Sequence, residues 1–290
     1  MTKILIIGLD GASWNIIKPN INQLPYFKKL MAEDSHKSLY CKDEEILSAA
    51  IWCTIFSGKA LKEHGHRKFI ENDKLKTRED IKVDFIWDVL SRPNVILNEA
   101  KNPVNSMRSF GLRPQDDDSK IQNDKGKTDV RALQIPFVIP PYNFNCEYEP
   151  PEYGASSDLN VLEKDTDAIV FKTLEILKES PDVFAVVFAA LDKIQHFHWG
   201  ESLILSWYKK MDEILGILEK YGEKLIVVSD HGFCDRGEAR VKTLPEFGST
   251  GKEIKGDHYE EAVLITRGID YEIREHRDVF NAILHETRNL

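Results

Sequence analysis

The stretch Val183-Phe-Ala-Val-Val-Phe-Ala-Ala-Leu-Asp192-Lys-Ile-Gln-His196 passes from a wholly apolar run straight into an aspartate and, four residues later, a histidine. A second stretch, Leu225-Ile-Val-Val-Ser-Asp230-His231-Gly232, does the same. Short runs rich in β-branched residues and bounded by polar ones read as strands buried on both faces of a parallel sheet. Residues 202–221 between them carry a helical apolar pattern, so strand, helix and strand form a βαβ unit with a right-handed crossover. A third run, Lys3-Ile-Leu-Ile-Ile-Gly-Leu-Asp10-Gly11, repeats the pattern at the N-terminus. In open α/β sheets ligands bind beyond the carboxyl ends of the strands. Three strand ends that bring carboxylate and imidazole to one rim have the chemistry of a metal site.

Working outward, Pro25 opens a helix through Met31 whose apolar face is Tyr26, Phe27, Leu30 and Met31. Ser48 through Gly58 reads as a second helix, with Ser48 at its N-cap and Gly58 at its stop. Further helices are predicted around 84–90, 160–179 and 278–287, the last capped by Asp278, and a further strand over Ala262–Thr266. Between about 67 and 157 charges dominate 71–83 and 114–131, and prolines cluster over 136–151, with short apolar stretches near 94–97 and 133–139. That change of character predicts an inserted cap or lid within a single domain of 1–290. The expected fold class is α/β: a three-layer sandwich with a mostly parallel central sheet and the inserted cap.

Composition sets outer limits. The chain has 290 residues, 42% hydrophobic and 30% charged, which is ordinary for a globular protein with one large core. A formal net charge of -9 argues against a general nucleic-acid binder. A small anionic substrate stays possible, because a bound cation inverts the local field. No apolar run approaches the roughly 20 residues that span a bilayer, and the N-terminal run reads as strand one, not a leader. Cys41, Cys53, Cys146 and Cys234 show no paired spacing and read as reduced thiols of a cytoplasmic protein.

Asp192 and His196 face the same way if a helix starts as the strand ends, because positions four apart share a helix face. Asp230 and His231 are adjacent, so their side chains diverge and could serve two ions or one ion and its surroundings. Ser48 places a hydroxyl at a helix N-terminus, where free N–H groups and the helix dipole favour an anion such as phosphate.

The combination resembles the alkaline phosphatase superfamily, most closely its type I phosphodiesterase/nucleotide pyrophosphatase branch. The matching stretches are Ile7-Gly-Leu-Asp-Gly-Ala-Ser-Trp14, Ser48 through His64-Gly65, Leu191-Asp-Lys-Ile-Gln-His-Phe-His-Trp199, Val228-Ser-Asp-His-Gly232 and Gly256-Asp-His258. The resemblance implies two divalent ions, with zinc suited to the ligand set and manganese as the alternative. It assigns Asp192, His196 and His258 to one ion, Asp10, Asp230 and His231 to the other, and Ser48 as a nucleophile bridging to the second. The implied activity is hydrolysis of phosphodiester or pyrophosphate bonds through a phosphoserine, on a small phosphorylated substrate such as a nucleotide. Backbone N–H groups at Ala49 and Ala50 would add oxyanion stabilisation.

The chain also departs from the family pattern. Ser48-Ala49-Ala50 lacks the usual proline after the nucleophile. Lys68-Phe69, with Asn72 beyond, stands where nucleotide pyrophosphatases carry a phosphoryl-binding asparagine, so Lys68, Arg67 and Asn72 are the candidates for that contact. Rival readings are a phosphomonoesterase, a phosphoglycerate mutase-like transferase, and a non-catalytic protein that binds a phosphorylated ligand through the metal site. A mutase would need a larger and more basic insertion, and a sulfatase would need a Cys/Ser-x-Pro-x-Arg segment that Ser48 and Cys53 do not sit in. His64 reads as part of a turn, His66 and His198 as pocket lining or surface, and His36, His276 and His285 as structural. Tyr208 reads as a packing residue of its helix.

Overall fold

A computed structural model describes residues 1–42, 45–92, 128–149, 158–248 and 251–288. Positions 93–127 and 150–157, much of the predicted insertion and with it the apolar stretch near 94–97, lie outside the described residues. Three strands occupy the positions read as apolar runs: β1 (Thr2–Leu9), β7 (Val183–Phe188) and β8 (Gly222–Val228). β1 lies between the other two and pairs parallel with both, so the β7-to-β8 connection crosses over it. That connection is two helices, α7 (Ala190–His198) and α8 (Ser202–Leu218).

Among the described residues the central sheet has seven strands in the order β2-β11-β8-β1-β7-β5-β6, where β2 is Ser35–Tyr40, β5 Val130–Ile135, β6 Tyr142–Phe144 and β11 Glu261–Arg267. β5 also runs parallel to β7, but β6 against β5, β11 against β8 and β2 against β11 are antiparallel. The sheet is therefore mixed, with a parallel centre and antiparallel margins, instead of mostly parallel. The physical reason is that an apolar run such as Ala262–Ile265 reports burial on both faces and says nothing about direction. β6 follows β5 after a short turn, which allows only an antiparallel pairing. β5 and β6 belong to the stretch read as an insertion, yet they are strands of the central sheet.

Strand residues alternate between two cores. Ile4, Ile6, Val183, Ala185, Val187, Ile226 and Val228 face one side, against α3 (Ser48–Ser57), α5 (Ile86–Leu90) and α9 (Asp278–Thr287). Leu5, Ile7, Leu9, Phe184, Val186, Phe188, Leu225 and Val227 face the other, against α2 (Pro25–Glu33), α6 (Leu159–Lys178), α7 and α8. This period of two, with both sets fully buried, makes three layers. On the α3 side Trp87 stacks among Phe56, Phe85, Phe137 and Tyr142 at centroid distances of 4.9–6.2 Å. Among the described residues no helix is long and apolar enough to cross a membrane.

Several details bear on the site. Leu47, not Ser48, is the N-cap of α3, and Ser48 is its first helical residue. Gly58 closes that helix with φ +66°, as its sequence position predicts. A short helix α4 (Leu61–His64) follows, and then a small hairpin of β3 (Ile70–Glu71) against β4 (Lys74–Leu75). A second two-stranded hairpin stands beyond the sheet rim, β9 (Gly232–Asp235) against β10 (Gly256–Tyr259), and carries His258. It has no strong apolar signature, and the sequence reading did not include it. Another short helix, α1 (Trp14–Ile17), follows the Asp10–Ser13 turn, with Ser13 as its cap.

Candidate metal centre

Each side chain of the centre is delivered by a strand end. Asp10 leaves β1, Asp192 and His196 occupy α7 directly after β7, Asp230 and His231 leave β8, and His258 comes from β10. Among the described residues, Asp192, His231 and His258 form one group, and Asp10, Asp230 and His231 another, each offering donor atoms within 4.8 Å of one another. His196 closes on the first group. Its Nε2 lies 3.3 Å from Asp192 Oδ1 and 3.2 Å from His258 Nε2, and His258 Nε2 lies 3.2 Å from Asp192 Oδ1. With bonds of about 2.0 Å to zinc, the edge of a tetrahedral ligand shell is about 3.3 Å. The triangle of Asp192, His196 and His258 has that size.

The histidine tautomers decide what these atoms can do. A carbonyl oxygen only accepts, so a ring nitrogen facing one carries the proton. His196 Nδ1–H donates to Gly256 O at 3.1 Å, His231 Nδ1–H to Gly232 O at 2.9 Å, and His258 Nδ1–H to Ile46 O at 2.6 Å. All three Nε2 atoms therefore present lone pairs to the centre. In the neutral rings two of these lone pairs face each other at 3.2 Å, an arrangement that repels unless a proton or a metal cation lies between them. Backbone-anchored imidazoles of this kind are the usual orientation of metal ligands.

The carboxylates tell the same story. Asp192 Oδ1 and Asp230 Oδ2 are buried and accept no hydrogen bond, a costly state for charged oxygen unless something cationic meets it. Burial raises the Asp10 carboxyl well above its ordinary range, and the charges of Asp230 and Asp192 add to the effect. Asp230 is pushed up to about 6 by burial and then by the Asp192 charge. For Asp192 burial also pushes upward, but His196 and His258 together outweigh it and hold the group well below the usual carboxylate value. Burial, and then the neighbouring His258, lowers His231 well below an ordinary imidazole. Three carboxylates crowd one small volume, and the donor set fits divalent cations in two adjoining positions.

Ser48 joins the second group. Its Oγ lies 3.1 Å from His231 Nε2 and 3.4 Å from Asp10 Oδ1. Because Leu47 takes the cap position, the hydroxyl is not used on its own helix and points across to the strand ends. Ala50 N–H donates to Leu47 O at 3.0 Å, which leaves Ala49 as the first-turn donor. Lys68 is exposed on the approach to the β3–β4 hairpin, and Asn72 sits exposed at that hairpin's tip with φ +51°. Among the described residues no hydrogen bond or ion pair joins either of them to the aspartates and histidines. His64 is structural as read: its Nδ1 accepts from His66 N–H at 3.0 Å and its Nε2 meets Thr54 Oγ1 at 3.0 Å.

The sequence reading missed two partners of the centre. Gln195, between the ligand positions of α7, and Tyr208 of α8 hydrogen-bond to each other and to the Asp10–Ser13 turn. A buried tyrosine hydroxyl normally needs a partner, which was the available signal for Tyr208.

Residues 4–247 match the family model of type I phosphodiesterases/nucleotide pyrophosphatases. The chain belongs to that family. Solved structures agree in fold. Murine ectonucleotide pyrophosphatase/phosphodiesterase 5, as an inactive variant in complex with AMP, is 12% identical with a TM-score of 0.58, covering 99% of this chain and 95% of its own. Phosphonoacetate hydrolase from Sinorhizobium meliloti 1021, in complex with phosphonoformate, is 12% identical with a TM-score of 0.60, covering 98% and 95%. The human ectonucleotide pyrophosphatase/phosphodiesterase 5 is 12% identical with a TM-score of 0.54, covering 98% and 94%. A search of curated proteins finds no match. Family membership and the two Asp/His groups together support a hydrolase of the broad superfamily class.

Proposed function

We propose that this chain hydrolyses phosphodiester or pyrophosphate bonds of a small phosphorylated substrate in two displacements at phosphorus, with Ser48 as the nucleophile. The observation that carries the reading is the Ser48 hydroxyl, 3.1 Å from the His231 lone pair and 3.4 Å from the Asp10 carboxylate, at the first residue of a helix. Asp192, His196 and His258 would hold one divalent ion and Asp10, Asp230 and His231 the other. Zinc suits these donors, with manganese as the alternative. When bound, such ions supply Lewis-acid charge that neutralises phosphoryl oxygens and favours the serine alkoxide.

The chain's own groups do the rest. Ser48 Oγ forms the new bond to phosphorus while the bond to the leaving oxygen breaks on the opposite face. The N-terminal end of α3 presents its positive dipole end and the Ala49 N–H to a phosphoryl oxygen. Water then attacks the same phosphorus, and the bond to Ser48 breaks to restore the hydroxyl. The Nδ1–H anchors on Gly256, Gly232 and Ile46 hold the three imidazoles still during both steps.

The test is turnover of a model phosphodiester and a model monoester by protein stripped of metal and reloaded with zinc or manganese. Ser48→Ala should abolish turnover and keep the metal content of the parent. Retained turnover in that variant would remove Ser48 as the nucleophile. Preference for the monoester would move the substrate class, and inactivity of a fully loaded parent would leave a ligand-binding role.

A further inference from the structure

We infer that Gln195 and Tyr208 are positioning residues that fix the spacing between the two metal positions, an inference that rests on the two-metal reading above. The two positions draw on different elements: Asp192 and His196 stand on α7, whereas Asp10 closes β1. What joins these elements is a short chain of buried hydrogen bonds. Gln195 Nε2–H donates to Gly11 O at 2.8 Å, and Gln195 Oε1 accepts from the Tyr208 hydroxyl at 2.9 Å. The same hydroxyl accepts from Ser13 N–H at 2.8 Å. Asp192 N–H donates to Asp10 O at 3.1 Å, directly beside the carboxylates.

The turn is held from its other side as well. Gly11 N–H donates to Asp230 Oδ1 at 3.1 Å, and Ser13 Oγ–H donates to Phe233 O at 3.2 Å. Gln195, Tyr208 and Ser13 are fully enclosed, so no water competes for these groups. Gln195 follows Asp192 by three residues and immediately precedes His196, so the α7 turn that carries both ligands is the turn it ties down. Donor atoms proposed for different ions already approach to 3.8 Å, between His231 Nε2 and Asp192 Oδ1, and His231 lies within reach of both groups. At that separation a displacement of α7 against the Asp10 turn by a fraction of an ångström changes both coordination shells. Groups that orient metal ligands from behind typically change metal affinity or activity about 10–100-fold when removed.

Tyr208→Phe removes one oxygen and keeps the ring, leaving Ser13 N–H and Gln195 Oε1 without their partner. Gln195→Met keeps the length of the side chain and removes both ends of its hydrogen bonding. The experiment loads parent and variants with manganese and measures stepwise affinity, electron paramagnetic resonance of the ion pair, and kcat and KM for a model diester. The parent should show a spin-coupled pair. Each variant should remain folded by circular dichroism, show altered coupling, bind its second ion about 10–100-fold more weakly, and lose kcat by about the same factor with KM little changed. A parent without a coupled pair would refute the two-metal reading itself. A parent with a coupled pair, and variants that keep its coupling, affinity and kcat, would overturn the positioning role alone. So would two variants that lose only thermal stability, or that both fail to fold.

Discussion

Replacing Gly11 by alanine separates backbone strain from crowding at the centre. Gly11 has φ +72°, and a Cβ there would lie 2.9 Å from Phe233 Cε2 and 3.0 Å from the Cα of Asp192. The left-handed backbone costs an L-residue roughly 1–2 kcal/mol. Forcing a methyl group against an enclosed ring and a neighbouring main chain adds about 1–3 kcal/mol. Gly65 is the internal control: its φ of +68° is nearly the same, but a Cβ there meets nothing within 4 Å. Gly65→Ala should therefore cost only the first contribution. At about 2–4 °C per kcal/mol for a chain approaching this size, the expected losses in Tm are roughly 4–20 °C for Gly11→Ala and roughly 2–8 °C for Gly65→Ala. Because the clash is with Asp192, Gly11→Ala should also weaken metal binding, whereas Gly65→Ala should not. Thermal unfolding of the metal-free proteins, followed by zinc titration, reads both. Equal Tm losses together with unchanged zinc affinity in Gly11→Ala would refute the reasoning.

Burial, and then the His66 charge, lowers the His64 imidazole to about 4. Its folded value thus lies below the ordinary value of about 6.5, so the unfolded chain takes up the proton first as pH falls. The stabilisation is complete above pH 6.5 and is lost on descent through pH 4. Between pH 7 and pH 5 this one group should remove about 2 kcal/mol of stability. Urea unfolding of the metal-free parent and of His64→Gln at both pH values checks it, and identical pH dependence would count against the assignment. Trp87→Ala should cost about 3–5 kcal/mol through loss of its enclosed aromatic contacts, while Phe171→Ala, at a side chain 66% exposed, should change stability by less than about 0.5 kcal/mol. His196→Ala should lower bound zinc from two ions to one per chain by elemental analysis; two retained ions would take His196 out of the ligand set.

The parallel centre of the fold was legible because β1, β7 and β8 contain the apolar runs Ile4–Leu9, Val183–Phe188 and Leu225–Val228, too short for a helix of the core and too apolar for a loop. The aspartates and histidines at their ends were legible for the same reason: position along the chain set their position in space. Direction was not. Glu261–Arg267 has the apolar run of a parallel strand and lies antiparallel to β8, because burial on two faces leaves the same trace either way. β2 escaped notice because Ser35–Tyr40 is an edge strand, mostly exposed and polar. Ser48 was placed one residue off. A serine before an apolar run looks like a cap, and only the backbone conformation of Leu47 shows that the cap position is taken and the hydroxyl is left for Asp10 and His231. Gln195 and Tyr208 were invisible for a different reason, since a side chain's partners 184 or 195 positions away leave no local pattern.

Under the proposed two-ion assignment, the hairpin that carries His258 also sets the order in which the protein would acquire its ions. Asp10, Asp230 and His231 have all been synthesised before β10, so on the ribosome the ion position proposed for them would be chemically complete while the other would still lack an imidazole. The Asp192 and His196 pair must wait for a strand that grows from the chain well after β8. Loading of both positions thus cannot precede the synthesis of β10, and a translation product that stops short of Gly256 should fill one position at most.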